Sequence, residues 1–304
     1  MENTYMFENY ISIGRNFIAE KNYMKALKFF KKAYKCPEGK QDIDLILDLA
    51  FLYDKIAYFD LAKEMYKKAL SIDNTCAIAY YGLGIIYDDD GLYKEAIECY
   101  KKAITYDPRY EKAYFFLANA YDEIGNKEEA IRNYKEVIRL NPRDLWSHAN
   151  LGCIYDELGN TETALNYMEK AYEIDSDHFR ILFNLGVFNN KLGNEQAAIE
   201  YYKKSIVQNP QYPYSYLNYA VIYREKEDYL KAIEIINEGI KENDEEGFLY
   251  YNRACFYAAI DKLEAALADV IKSIELNNFF EEYMKEDVEL DKIRELDKYK
   301  KLFN

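Results

Sequence analysis

Apolar and aromatic residues recur along this chain at intervals of three and four, and the phase of that recurrence resets about every 34 residues. In residues 77–110, Tyr80, Leu83, Gly84 and Tyr87 share one helical face, and Ala96, Tyr100 and Ala103 share another. The small residues Gly84 and Ala96 let two backbones approach, while Tyr87 and Tyr100 fill the space beside them. Asp90-Gly91 breaks the first helix and Asp107-Pro108 the second. The pattern predicts a pair of helices.

The pair repeats. Ala26, Ala62, Ala96, Ala130, Ala164, Ala198, Ala232 and Ala266 hold one place, spaced 36 once and then 34 six times. A second place is always small: Gly14, Ala50, Gly84, Ala118, Gly152, Gly186, Ala220 and Ala254. A third is aromatic in seven of eight units, with Asn189 the exception. The units are therefore 7–42, 43–76, 77–110, 111–144, 145–178, 179–212, 213–246 and 247–280. The first has two extra residues in its turn; the seventh has Glu227 at the usual glycine place and Gly239 inside its second helix. A close neighbour is the expected reason for Gly239, since glycine weakens a helix by about 1 kcal/mol relative to alanine.

An aromatic, Leu-Gly, Tyr, Ala, aromatic and Pro in 34 residues resembles the tetratricopeptide repeat (TPR). The resemblance covers roughly 7–280 and implies an all-α, right-handed α-α superhelix of about sixteen repeat helices, one solenoid domain over 1–304. After the last unit, YNRACFYA and DVELDKIRELDKYKKLF are similar to the terminal element of many TPR arrays. Residues 281–304 are thus expected to cap the array, with Ile293, Leu296, Tyr299 and Leu302 covering the last repeat.

Composition agrees with few breakers and many column aromatics: 12 Gly, 5 Pro and 33 Tyr. The start lacks a basic apolar signal segment and no apolar run is of membrane-spanning length, so a cytoplasmic location without membrane insertion is expected. Cys36, Cys76, Cys99, Cys153 and Cys255 form no CxxC or metal spacing, and the chain has only two histidines. No metal or cofactor is expected, and Cys153 and Cys255 read as small packing residues. No Gly-rich phosphate loop, GxSxG or HExxH is present, which argues against an enzyme. A net charge of −14 disfavours nucleic acid.

In the TPR family the first helices line an inner groove, and that resemblance selects three sets of residues. Asp54, Asp88, Asp122 and Asp156 form an acidic column at the twelfth place, accompanied by Asp89, Glu123 and Glu157; it gives way to Asn190, Arg224 and Ala258. Stacked carboxylates repel unless a basic ligand relieves them; the alternative is a solvated helix end. Asn150, Asn184, Asn218 and Asn252 recur at the sixth place. They are similar to the asparagine ladder in the O-GlcNAc transferase groove, and an amide can pair with both groups of a peptide bond; the alternative is a structural column. Tyr81, Phe115, Phe183 and Tyr251 head an apolar set at the fifth place.

The carboxylate clamp of chaperone-binding TPR domains is matched by Asn119, Asn150 and Arg180, but Phe115 and Asn184 stand where the clamp has basic residues. A non-enzymatic adaptor for an extended peptide or partner protein, with a preference for a basic segment, is the leading expectation. A peptide-sensing regulator and a carboxylate-binding co-chaperone are the alternatives. Self-association through exposed aromatic edges is open.

Overall fold

The computed structural model describes residues 2–303, and side chains for 5–301. The contacts divide the chain into two compact units, 1–147 and 148–304. Among the described residues there are helices and turns and no strand. No described helix is long and apolar enough to cross a membrane.

The first unit contains the pairs α1 (Glu2–Ala19) and α2 (Tyr23–Tyr34), α3 (Ile43–Lys55) and α4 (Phe59–Ile72), α5 (Ala77–Asp89) and α6 (Tyr93–Tyr106), α7 (Glu111–Glu123) and α8 (Lys127–Leu140). The two extra residues are taken up by turns at 35–41, where Gly39 N–H donates to the Cys36 carbonyl at 3.1 Å. α9 (Leu145–Glu157) begins at the boundary. The second unit continues with α10 (Thr161–Ile174), α11 (Phe179–Lys191), α12 (Glu195–Gln208), α13 (Pro213–Glu225), α14 (Tyr229–Glu242), α15 (Gly247–Ala259) and α16 (Leu263–Leu276). The sixteen repeat helices are those the periodicity predicts.

Each pair closes around one large side chain four residues after the column alanine. Phe30, Tyr66, Tyr100, Tyr134, Met168, Tyr202, Ile236 and Val270 are all buried. The small residue of the first helix makes room for it: a Cβ added at Gly186 would lie 2.5 Å from the Tyr202 ring, and Gly84 stands the same way against Tyr100. Gly239 obeys the same logic from the other helix, since a Cβ there would meet Tyr216 Cβ at 2.9 Å. The turn inside each pair passes through a left-handed residue. Gly91, Gly125, Gly159 and Gly193 hold it at φ of 72–79°, whereas Lys21, Ala57, Glu227 and Asp261 are held at 57–61°. Glu227 thus keeps the turn that glycine makes elsewhere, against the steric preference of a residue with a Cβ.

The second unit ends in a cap: α17 (Phe279–Glu286), a 3-10 turn at Val288–Leu290, α18 (Asp291–Arg294) and α19 (Asp297–Phe303). Ile293 and Tyr299 are buried and Leu296 packs against the same core, as expected; Met284 and Leu290 are buried beside them. Leu302 lies outside the described side chains. Arg294 fastens the fold-back by donating to the Met284 and Lys285 carbonyls at 2.7 and 3.0 Å.

Candidate functional site

The first helices of each unit carry the predicted site residues. In the first unit, Asp54 lies 3.3 Å from Lys55 Nζ, Asp88 accepts from the Tyr100 hydroxyl at 3.1 Å, and Asp122 pairs with Lys127 Nζ at 2.6 Å. In the second unit, Asp156 accepts from Lys191 Nζ at 2.6 Å and from Thr161 Oγ1 at 3.1 Å. Every member of the aspartate column therefore has a partner within its own unit.

The partners expose a register that 34-residue columns conceal. Asp156 and Lys191 are 35 positions apart: the last turn of one first helix meets the place one residue further along in the next repeat. In the first unit that relation joins Asp54 to Asp89 and Asp88 to Glu123, so like charges face each other. Their titration reflects it. Burial raises the Asp89 carboxyl above its usual range, the charges of Asp54 and Asp90 raise it further, and Lys55 opposes them. Burial likewise raises Asp88; the Tyr100 hydrogen bond pulls it down, and Asp89 and Glu123 push it up. Tyr81 belongs to the same patch, since burial and then the charge of Asp54 push its hydroxyl up to about 12.

The aromatic residues are half-committed to packing. Tyr81 lies 5.0 Å from the Tyr110 ring and 5.9 Å from Phe116, and Phe115 meets Phe116 and Tyr134 edge-on. Both keep partial exposure. Phe183 does the same in the second unit against Tyr212, at 5.2 Å. Tyr251 does not fit the lining role: it is 5% exposed, stacks on Phe280 at 5.1 Å and donates to Asp287 at 2.6 Å. The cap folds over it, which corrects its assignment as a groove residue.

The asparagines are half-buried and spend part of their hydrogen-bonding capacity locally. Asn218 and Asn252 each donate to a carbonyl one turn back, Tyr214 at 3.0 Å and Phe248 at 2.8 Å. Asn184 Nδ2 lies 3.7 Å from Cys153 Sγ, and Asn150 also has an interaction partner. Asn119, in the first unit, accepts from the Tyr134 hydroxyl. Arg180 is exposed above the Phe179 ring. These local bonds use one of the two amide protons of Asn218 and of Asn252, so a backbone ligand would meet partly occupied amides.

Sequence models of the tetratricopeptide repeat match residues 43–76, 77–110, 111–144, 149–215 and 201–234. No curated protein sequence matches the chain. Among solved structures, YrrB, described as a TPR protein with an unusual peptide-binding site, is 26% identical with a TM-score of 0.53, covering 61% of this chain and 95% of its own. MamA is 29% identical with a TM-score of 0.51, covering 53% and 95%. PilF of Pseudomonas aeruginosa shares the fold at 18% identity and a TM-score of 0.63, covering 74% and 100%.

Proposed function

The chain belongs to the tetratricopeptide repeat family, and from that premise we propose that it is a non-enzymatic protein-interaction scaffold whose first unit takes an extended, basic segment of a partner protein. One observation carries this reading. The register that joins Asp156 to Lys191 in the second unit sets Asp54 against Asp89 and Asp88 against Glu123 in the first. A lysine or arginine of the partner would supply there the cation that the second unit supplies for itself. Tyr81, within reach of the Asp54 charge, is half-exposed and offers a surface for the apolar stem of such a residue, and the half-exposed Phe115 adds apolar surface on α7. That the related YrrB is described as peptide-binding supports the same class of ligand. The asparagines of the second unit then add hydrogen bonds to the ligand backbone, each worth about 0.5–1.5 kcal/mol.

The test is titration calorimetry of a Lys/Arg-rich peptide against the full chain and a variant with Asp54, Asp88 and Asp122 changed to Asn. Partly exposed ion pairs contribute about 0.2–1 kcal/mol each, so the loss of three should lower affinity at low salt by about threefold to a hundredfold, and its salt dependence should flatten. Equal affinity in variant and parent would make the column a solvated helix edge.

A further inference from the structure

Beneath the cap, three potential ligands converge away from the acid pairs. Cys255 on α15 is 6% exposed. Asp287 links α17 to the 3-10 turn, and Glu289 lies within that turn. The Cys255 sulfur and one carboxylate oxygen from each acid all lie within 4.8 Å of one another, with Sγ 4.0 Å from Asp287 Oδ2. Asp287 is held on both oxygens: Oδ2 accepts from the Tyr251 hydroxyl at 2.6 Å and Oδ1 from the Glu289 N–H at 2.9 Å. Arg224 from α13 approaches Glu289 at 3.9 Å.

A buried thiol offers one weak donor, yet it faces two carboxylates, both from the segment that folds back 32 and 34 positions later in the chain. We propose that Cys255, Asp287 and Glu289 bind a thiophilic divalent cation, zinc by its chemistry, and that the ion ties the cap to the last repeat. Zinc takes sulfur at about 2.3 Å and carboxylate oxygen at about 2.0–2.2 Å in a tetrahedron, which sets donors about 3.5 Å apart. A small contraction of the cluster reaches that spacing and leaves the fourth position to water. Magnesium and calcium take oxygen ligands and would leave the sulfur unused. Charge also balances: a thiolate and two carboxylates against a dication and the Arg224 guanidinium leave the site neutral. On binding, the S–H bond breaks, its proton passes to solvent and a metal–sulfur bond forms. The Tyr251 hydrogen bond fixes the Asp287 carboxylate in the way outer groups orient metal ligands.

The test uses the full chain, freed of metal with a chelator, kept reduced with a phosphine, and titrated with cobalt(II). One equivalent should bind with a thiolate-to-cobalt charge-transfer band in the near ultraviolet, zinc should displace it, and the unfolding temperature should rise. Cys255→Ser should abolish the band. Glu289→Gln lies at an exposed position and should keep the circular dichroism spectrum while weakening binding at least about tenfold. The proposal fails if no band develops, if Cys255→Ser keeps it, which would place the metal on another cysteine, or if folded Glu289→Gln binds as tightly as the parent.

Discussion

Asp156 and Asp88 occupy the same place in two units of this chain, and the charge that the next repeat sets against them is opposite in sign. In the second unit the next repeat presents Lys191, which closes a 2.6 Å ion pair. In the first it presents Glu123, whose charge helps to raise the Asp88 carboxyl. The helix pairs are built alike, with a buried large side chain seated against a small one in both units. Packing therefore specifies the fold and leaves the charge at this register free. The second unit uses that freedom to join its own repeats; the first keeps a local negative potential that a partner can meet.

If the two units share one packing rule, breaking it should cost the same in each. Gly84→Val and Gly186→Val drive a side chain into Tyr100 and Tyr202 respectively, and each should destabilise by about 3 kcal/mol or more. Denaturant unfolding of both variants checks this. Tolerance in only one unit would mean that the units differ in packing as well as in charge.

Turn strain gives a smaller effect. Glu227→Gly places glycine at a φ of 61° and should stabilise the chain by about 0.5–1 kcal/mol, whereas Gly159→Ala, at 77°, should destabilise it by a similar amount. Thermal melts of the two variants moving in the same direction would contradict a common turn.

The smallest expected effect depends on pH. Asp88 and Asp89 have folded-state pKa values raised above the usual carboxylate range. Their protonated forms are favoured in the native state, so the stability they contribute is present below the unfolded pKa and is lost as pH rises through the folded value. Mild acidification from neutrality should then slightly stabilise the first unit and at the same time weaken its hold on a basic peptide. Asp88→Asn with Asp89→Asn should remove both trends. Binding that strengthens on acidification would contradict the charge argument.

Much of this was legible in the amino-acid sequence. The alanine and aromatic phase identifies sixteen helices, Gly239 announces its close neighbour, and the apolar residues Ile293 and Tyr299 mark the cap. What escaped depends on how one repeat is staggered against the next. The 35-position pairing of Asp156 with Lys191 is invisible in columns drawn at 34. Tyr251 shares the phase of Tyr81, and only the fold-back of the cap decides that it is buried. Asn218 and Asn252 look like outward-facing ligands in a repeat, but each amide can reach the carbonyl one turn behind it, and does. Cys255, Asp287 and Glu289 have no recognisable spacing because two whole helices, α16 and α17, lie between the cysteine and the acids.

The central claim is that charge at this register decides which unit takes a basic segment, and exchanging the charges tests it directly. Asp89→Lys with Glu123→Lys gives the first unit the pairing of the second, and Lys191→Glu gives the second unit the pairing of the first. The affinity of one fluorescent Lys/Arg-rich peptide would be measured for the parent, each variant and their combination at low salt. The account predicts that the first change lowers affinity at least about tenfold, a loss of about 1.4 kcal/mol, and that adding Lys191→Glu restores part of it. Affinity unchanged by both exchanges, with folded spectra retained, would contradict it.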